Sequence, residues 1–323
     1  MRTLFFLLIV GLYGYLHAQD TYDQVYNIFQ NSCAAYCHNG PSASGGLDLA
    51  GSGSDPQGMV WSNLYNVTPT NSYATGEGYR RIYPGDPYRS TLFRKINHGL
   101  DDFIDLHANE GDPMPPIALD DKDKELIRQW ILFNSPKTGN IVDTALINEY
   151  YNGNGVDGIA SRPAPPANGE GFQIKIGPFF LHANAEKEFF YKYNVANDQT
   201  IEVKEVFSDL GQTYSHHFII FKFRMMSGAV DYGFRTNNAH SYITLVTAHQ
   251  QTENIPLPEG TCFEWEPNTI LDLNSHYINY SNQVLKCENY ANIYTQPSGT
   301  AIYKMHTGLY PYYGIYIPND GQD

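Results

Sequence analysis

The sequence predicts a multidomain protein in which a small all-α domain precedes an all-β, jelly-roll-like sandwich. Three observations support this prediction. Residues 152–171 are rich in Gly, Pro, Ala and Asn and contain almost no large apolar side chain, as expected of a linker. A helical spacing of apolar residues lies before this segment, and a strict apolar–polar alternation follows it. We therefore place the domain boundaries at 20–150, 151–171 and 172–323.

The composition agrees with a globular chain built largely from short strands and turns. Of its 323 residues, 42% are hydrophobic and 17% charged, which is too apolar for a disordered chain. The 26 Tyr, 28 Gly and 19 Pro favour strands and turns over helix bundles. The net charge of −14 argues against nucleic acid and against anionic membrane surfaces as partners, because both attract Lys and Arg.

The N-terminus has the pattern of a signal peptide over residues 1–19. Arg2 precedes a short apolar stretch over residues 4–16, and Ala18 is a small residue at which a signal peptidase could cut. The stretch is too short to span a bilayer comfortably, although a membrane anchor is the alternative. We therefore expect a secreted or periplasmic bacterial protein with no membrane span after signal cleavage, in which disulfides are permitted.

Helical spacing is clearest over residues 120–133, where one apolar stripe includes Leu126 and Trp130 and acidic residues crowd the first turn. A shorter helix is predicted over residues 22–31. After the linker the period changes to two. The alternation predicts strands at residues 172–176, 189–195, 201–207, 218–223 and 243–246.

Two cysteines followed at once by a histidine form the sharpest motif in the first half. In Cys33-Ala-Ala-Tyr-Cys37-His38 the thiols could add to the vinyl groups of a haem, and the histidine could then bind its iron. The usual motif has two residues between the cysteines, and this one has three. A local Cys33–Cys37 disulfide and half of a zinc site are the alternatives.

Residues 20–135 resemble a bacterial class I-like cytochrome c domain of the kind carried on large secreted enzymes. The resemblance depends on the cysteine–histidine motif, on the IYPGDPYRSTLF segment at 82–93, and on Gly-Asp-Pro-Met-Pro-Pro at 111–116, followed by the helix of Trp130. It implies a covalently attached haem c with His38 as one iron ligand. It also implies Met114 as the distal ligand, with His98 and His107 as rivals.

Histidines also mark two predicted strands of the second half. His216 and His217 open one strand, and His276 lies on another. Neighbouring residues on a strand point to opposite faces, so the pair can converge on one metal only where the backbone is bent. Imidazole ligands without a thiolate suit copper, with zinc as the alternative.

Residues 172–318 resemble the N-terminal domain of the copper type II, ascorbate-dependent monooxygenases, the peptidylglycine and dopamine hydroxylase family. The shared features are a His-His pair that opens a strand and a His-Tyr 59 positions later (276 − 217). The resemblance implies that His216, His217 and His276 bind an electron-transfer copper. His240 and His249 are further candidate ligands, with solvated loop histidines as the alternative. The family's second copper site needs a His-X-His pair, which this sequence lacks.

Two cysteines remain, 25 positions apart (287 − 262). In an exported β domain, a Cys262–Cys287 disulfide is expected, with a copper thiolate as the alternative.

The sequence thus predicts a secreted haem/copper redox protein, in which a c-type haem passes electrons to a three-histidine copper site of a monooxygenase-like domain. The alternative is a pure electron-transfer or copper-binding protein without substrate hydroxylation. A third interpretation is a β module that binds a partner or glycan. The expected partners are an electron donor or acceptor protein or small reductant, and a small-molecule or peptide substrate.

Overall fold

The structure is a computed structural model, and it describes residues 19–211, 213–224, 227–237 and 242–308. The predicted signal peptide lies outside these residues, apart from its last position. Within them, the α-helices are α1 (Thr21–Phe29), α2 (Pro56–Leu64), α3 (Ser72–Gly76), α4 (Thr91–Ile96), α5 (Asp121–Leu132) and α6 (Thr144–Glu149). The strands are β1 (Gly155–Asp157), β2 (Gly171–Leu181), β3 (Glu186–Asn194), β4 (Ile201–Asp209), β5 (Ser215–Phe223), β6 (Phe234–Arg235), β7 (Ile243–His249), β8 (Glu253–Pro256), β9 (Thr261–Trp265), β10 (Ile270–Ile278), β11 (Val284–Gln296) and β12 (Tyr303–Lys304).

Two sheets face each other as a sandwich. One sheet has seven strands, with the path β1-β11-β4-β9-β12, and β2 and β8 pair with β11 and β4. The other has five strands in the order β6-β3-β10-β5-β7. Apolar side chains from both sheets share one buried core, which includes Ile174, Phe218, Trp265, Leu273 and Ile293. The β-sandwich and the strands predicted from alternation agree with this arrangement.

The prediction of a small all-α domain is wrong. The helices of the first half are short, the longest having 12 residues, and loops or 3-10 turns separate them. They enclose an apolar cluster around Tyr22 and Trp130, but α5 also packs against the sandwich. At its end, the Phe133 ring lies 5.6 Å from Phe189 and 5.4 Å from Phe234. The molecule is therefore mostly β, with helices joined to the sandwich.

A buried group of charges also joins the two halves. Asp101 accepts hydrogen bonds from Lys175 Nζ at 2.9 and 3.0 Å and from Arg128 Nη1 at 3.0 Å. Arg128 also pairs with Glu125 on the same helix. Lys175 belongs to β2, and the other three residues belong to the first half. Because a buried charge without a partner costs several kcal/mol, this network holds α5 and the 97–104 loop against the sandwich.

The segment between the halves contacts the sandwich over much of its length. Strand β1 pairs in parallel with the start of β11. Farther along, Arg162 contacts Gln173 and Asp102, and the Ala164 carbonyl accepts from Asn292 Nδ2 at 2.8 Å. The boundaries at 20–150, 151–171 and 172–323 stay a prediction.

The predicted Cys262–Cys287 disulfide is also wrong, because both thiols are free and buried. Cys262 lies on β9 and Cys287 on β11, and β4 separates these strands in the sheet. Thr295 of β11 pairs with Val203 of β4, and Val203 pairs with Phe263 of β9, the residue next to Cys262. Cys262 therefore lies across the sheet from the region of Thr295. Cys287 is eight positions farther along β11, or about 26 Å at the rise of a strand. A disulfide requires Cα atoms within about 7 Å.

Candidate metal centre

Three histidines converge on the outer face of the five-stranded sheet. His217 of β5 is directly opposite His276 of β10, and His216 precedes His217 in the chain. One potential ligand nitrogen from each lies within 4.8 Å of the others. The ring centroids are 5.0 to 5.5 Å apart. The predicted ligands His216, His217 and His276 are therefore brought together by the fold, in a space suited to one metal ion.

A β-bulge explains how adjacent histidines share one face. His276 pairs with His217, but the next residue, Tyr277, pairs with Ser215. His216 is the extra residue of β5 that has no partner in this register. A bulge of this kind re-aims a side chain that would otherwise point to the opposite face. Phe218 and Tyr277 then continue into the sandwich core, which fixes the face presented by His217 and His276.

Polar partners hold His217 from the side opposite the cluster. Its Nε2 lies 3.0 Å from Asn274 Oδ1 and 3.2 Å from Glu188 Oε1. Its Nδ1 lies 3.3 Å from the Nδ1 of His216. Asn274 is two positions before His276 and therefore on the same face of β10. Nδ1 of His217 is thus the nitrogen that faces the cluster.

The surroundings of His276 favour its neutral imidazole. Burial lowers the pKa of His276 below its ordinary value of 6.5, and the neighbouring His217 and His216 act in the same direction. Glu188 and Glu186 oppose the shift in this pKa without reversing it. A neutral imidazole offers a lone pair to a metal, whereas a protonated one does not. The lowered pKa of His276 therefore favours the form of this side chain that binds metal.

Three imidazoles with no thiolate in the cluster suit copper or zinc. Cys287 is the cysteine nearest to His276 in the sequence, and its side chain is part of the sandwich core. The copper thiolate alternative therefore has no support at this cluster. Of the other candidate histidines, His240 lies outside the described residues. His249 is fully buried on β7, where its Nε2 lies 2.6 Å from Thr247 Oγ1, so it is a core residue and not a solvated one.

The cysteine–histidine motif folds into a tight turn after α1. The backbone N–H groups of Cys37 and His38 both donate to the Cys33 carbonyl, at 3.3 and 3.2 Å. The His38 ring places Nδ1 2.9 Å from the Leu47 carbonyl. Since a carbonyl only accepts, Nδ1 carries the proton and Nε2 keeps its lone pair. Burial raises the pKa of Cys33 to about 11, and nearby Cys37 adds to this rise, so Cys33 is a neutral thiol.

The candidate distal ligands occupy three different environments. Met114 lies in a surface loop, 39% exposed, and its N–H donates to the Lys95 carbonyl at 2.9 Å. His107 caps a 3-10 turn through Nδ1 and stacks on Tyr73 at 4.3 Å. His98 differs, because its Nε2 is buried and has no hydrogen-bond partner among the described residues. Met114 as the distal ligand, with His98 and His107 as its rivals, stays a prediction.

Two residues of the metal centre were missed by sequence reasoning. Asn274 could have been found, because the two-residue period of a strand places it beside His276. Glu188 gave no such signal, since its proximity depends on the pairing of β3 with β10, where it is opposite His276. A carboxylate in a stretch of charged residues is indistinguishable in sequence from an ordinary surface residue.

Comparison with protein-family models finds no match to the chain, and comparison with curated proteins finds no relative. The resemblances to a cytochrome c domain and to the copper monooxygenases therefore stay predictions drawn from motifs. Among the described residues, no helix is both long and apolar enough to cross a membrane.

Proposed function

We propose that this protein is a copper-binding redox protein whose metal is held by His216, His217 and His276. The observation that carries the proposal is the convergence of three imidazole nitrogens within 4.8 Å on a rigid sheet face. Divalent copper binds nitrogen ligands more tightly than divalent zinc does, and three imidazoles form such a set. Bound copper would supply one-electron redox chemistry. The chain contributes the ligands, their orientation and a partly desolvated pocket.

A c-type haem on Cys33, Cys37 and His38 is the second half of the proposal. The hydrogen bond from His38 Nδ1 to Leu47 supports it, because this bond directs the free Nε2 lone pair away from the backbone. Haem would supply an electron to the copper or accept one from it. Met114 is the proposed distal ligand, and His98 and His107 are its rivals. Both redox groups suit an exported protein that exchanges electrons with a protein partner or a small reductant.

The simplest form of the proposal is electron transfer without hydroxylation. Within the described part of the chain, one cluster of three metal-ligating side chains is present. In the alternative form, this centre serves a copper-dependent monooxygenase that acts on a small molecule or peptide. Metal content separates the two forms, because the first requires one copper for each haem and the second requires two.

The copper proposal is tested by loading purified protein with Cu²⁺. We expect one tightly bound copper and a type 2 electron paramagnetic resonance spectrum with nitrogen couplings, because the ligands are imidazoles. The protein should lack the intense blue absorption of a copper thiolate. A preparation that binds zinc but not copper, or that shows thiolate absorption, would contradict the proposal.

The haem proposal is tested by the double variant Cys33→Ala and Cys37→Ala, expressed in a host that matures c-type cytochromes. Wild-type protein should keep a haem stain after denaturing electrophoresis, and the variant should lose it, because the thioether bonds can no longer form. Cys262→Ala is the matched control, since it removes a thiol from the sandwich instead. Haem that extracts from wild type into acid acetone would show that it is not covalently attached.

A further inference from the structure

Glu188 lies at the end of a row of side chains that crosses three strands of the five-stranded sheet. Glu188 of β3 is opposite His276 of β10, and His276 is opposite His217 of β5. Glu188 Oε1 reaches past His276 to lie 3.2 Å from His217 Nε2. It also accepts a hydrogen bond from Asn274 Nδ2 at 3.0 Å. The carboxylate therefore contacts the imidazole of one candidate ligand directly and through an amide.

These contacts fix which nitrogen of His217 carries the proton. Asn274 uses its amide N–H groups toward Glu188 and toward the Phe189 carbonyl at 3.3 Å. Its Oδ1 is therefore the atom that faces His217, and an amide oxygen only accepts. An ionised carboxylate also only accepts. His217 Nε2 thus donates its proton to both groups, and Nδ1 keeps the lone pair that faces His216.

We propose that Glu188 is a positioning residue that holds His217 in the tautomer whose Nδ1 binds metal and that adds negative charge behind this ligand. The inference rests on the proposed function, because it assigns a role at the same site. A carboxylate behind a ligating histidine fixes its ring and makes it a stronger donor. The added negative charge favours Cu²⁺ over Cu⁺ and so lowers the midpoint potential.

Glu186 provides a matched comparison two positions earlier on the same face of β3. Its Oε1 is 3.8 Å from His276 Nε2, beyond hydrogen-bond distance, and its side chain is 68% exposed against 44% for Glu188. Both residues carry the same charge and lie beside a candidate ligand. Only Glu188 has the hydrogen bonds that set a tautomer.

The experiment compares Glu188→Ala, Glu188→Gln and Glu186→Gln in the full chain. Metal affinity is measured by competition with Cu²⁺ and separately with Zn²⁺, and the copper midpoint potential is measured by titration. Glu188→Ala should weaken both metals about 10- to 100-fold, the usual effect of losing an outer-shell partner. Glu188→Gln keeps a hydrogen-bond acceptor, so it should lower the two metal affinities less. Because it removes the negative charge, it should also raise the midpoint potential. Glu186→Gln should stay within about twofold of wild type, since a screened surface charge has a small effect.

The outcomes separate the inference from the proposed function. Wild-type protein that binds Zn²⁺ but not Cu²⁺ would contradict the copper proposal, and the zinc affinities of the variants would still test Glu188. The positioning role is wrong if Glu188→Ala binds both metals as tightly as wild type. It is also wrong if Glu186→Gln loses as much metal affinity as Glu188→Ala. Wild-type protein that binds neither metal would overturn both. Unchanged circular dichroism and melting temperature would show that the variants are folded.

Discussion

The His276→Ala protein is expected to lose tight copper binding while keeping its full haem content. His276 lies at the centre of the row between Glu188 and His217, so its removal takes one of three converging nitrogens from the site. Loss of a direct ligand should exceed the roughly 10- to 100-fold effect of losing an outer-shell partner. The proposed haem ligands lie in the other half of the chain and should be unaffected. Competition titration measures the affinity, and the number of nitrogen couplings in the copper spectrum should fall by one.

The control for this variant is His182→Ala. His182 also lies in the second half, but its side chain is 64% exposed and pairs with Asp143 at 2.9 Å, away from the cluster. This variant should bind copper as wild type does. If His276→Ala binds copper as tightly as His182→Ala, the cluster is not the copper site. The monooxygenase resemblance would then extend to the sandwich alone.

The pH dependence of copper binding gives an independent check on the same site. Protons compete with the metal for each imidazole lone pair, so affinity should fall as the solution becomes more acidic. At His276 this competition is displaced to lower pH, because burial lowers its pKa below 6.5. Copper affinity is measured between about pH 5 and 8. Over this range, His276 should contribute less to the fall in affinity with acid than an exposed histidine would.

The three candidate ligands could be named from the sequence, but their convergence could not be foreseen. A His-His pair at a strand entry and a later His-Tyr identified the three residues. Period-two alternation, however, places His216 and His217 on opposite faces, and only the bulge beside Ser215 brings them together. A bulge is set by the register between two strands that are distant in sequence. The same dependence on register concealed Glu188.

Several strands and helix α5 were predictable from the sequence, but the surfaces on which the two halves meet were not. Alternation identified β2 to β5 and β7, because each strand directs apolar side chains into the sandwich core. The other face of β2 is buried as well, since Lys175 contacts Asp101 of the first half. Helix α5 was also found from its apolar stripe, but every residue from 124 to 132 is buried. Its charged residues Glu125 and Arg128 pair with each other, and Arg128 also pairs with Asp101, which Lys175 of the sandwich contacts. A charged helix face has the same pattern in water and against another part of the chain, so the contact that makes the all-α domain prediction wrong could not be seen in the sequence.

The second large effect is expected at this buried network, where Asp101→Ala should destabilise the protein by about 3–5 kcal/mol. The substitution removes the carboxylate that Lys175 and Arg128, both 2% exposed, share. Among the described residues, Arg128 then keeps only Glu125 as an acidic partner, and Lys175 keeps only Glu288, at 3.6 Å. Removing one partner from a buried ion-pair network is far more costly than breaking an ion pair in water, because the remaining charges stay desolvated. The matched control is Lys137→Ala, which breaks the exposed pair with Asp55 but leaves Asp55 in place as the cap of α2, and it should change the stability far less. Urea unfolding at neutral pH measures both.

The free energy of unfolding should also depend on pH through Asp101. Burial alone would raise the pKa of Asp101, but the charges of Lys175 and Arg128 outweigh it and hold the pKa well below the ordinary value of 3.8. Since the folded-state pKa is the lower one, the ionised carboxylate contributes its full stabilisation above about pH 4, and this contribution is lost as the pH falls toward the folded-state pKa. The unfolding free energies of wild type and Asp101→Ala should therefore converge in acid.

Because Asp101 and Lys175 come from different halves of the chain, the Asp101→Ala variant should lower the stability of both halves. If wild type and Asp101→Ala have equal unfolding free energies at neutral pH, or if only the helical half is destabilised, the network does not couple the two halves.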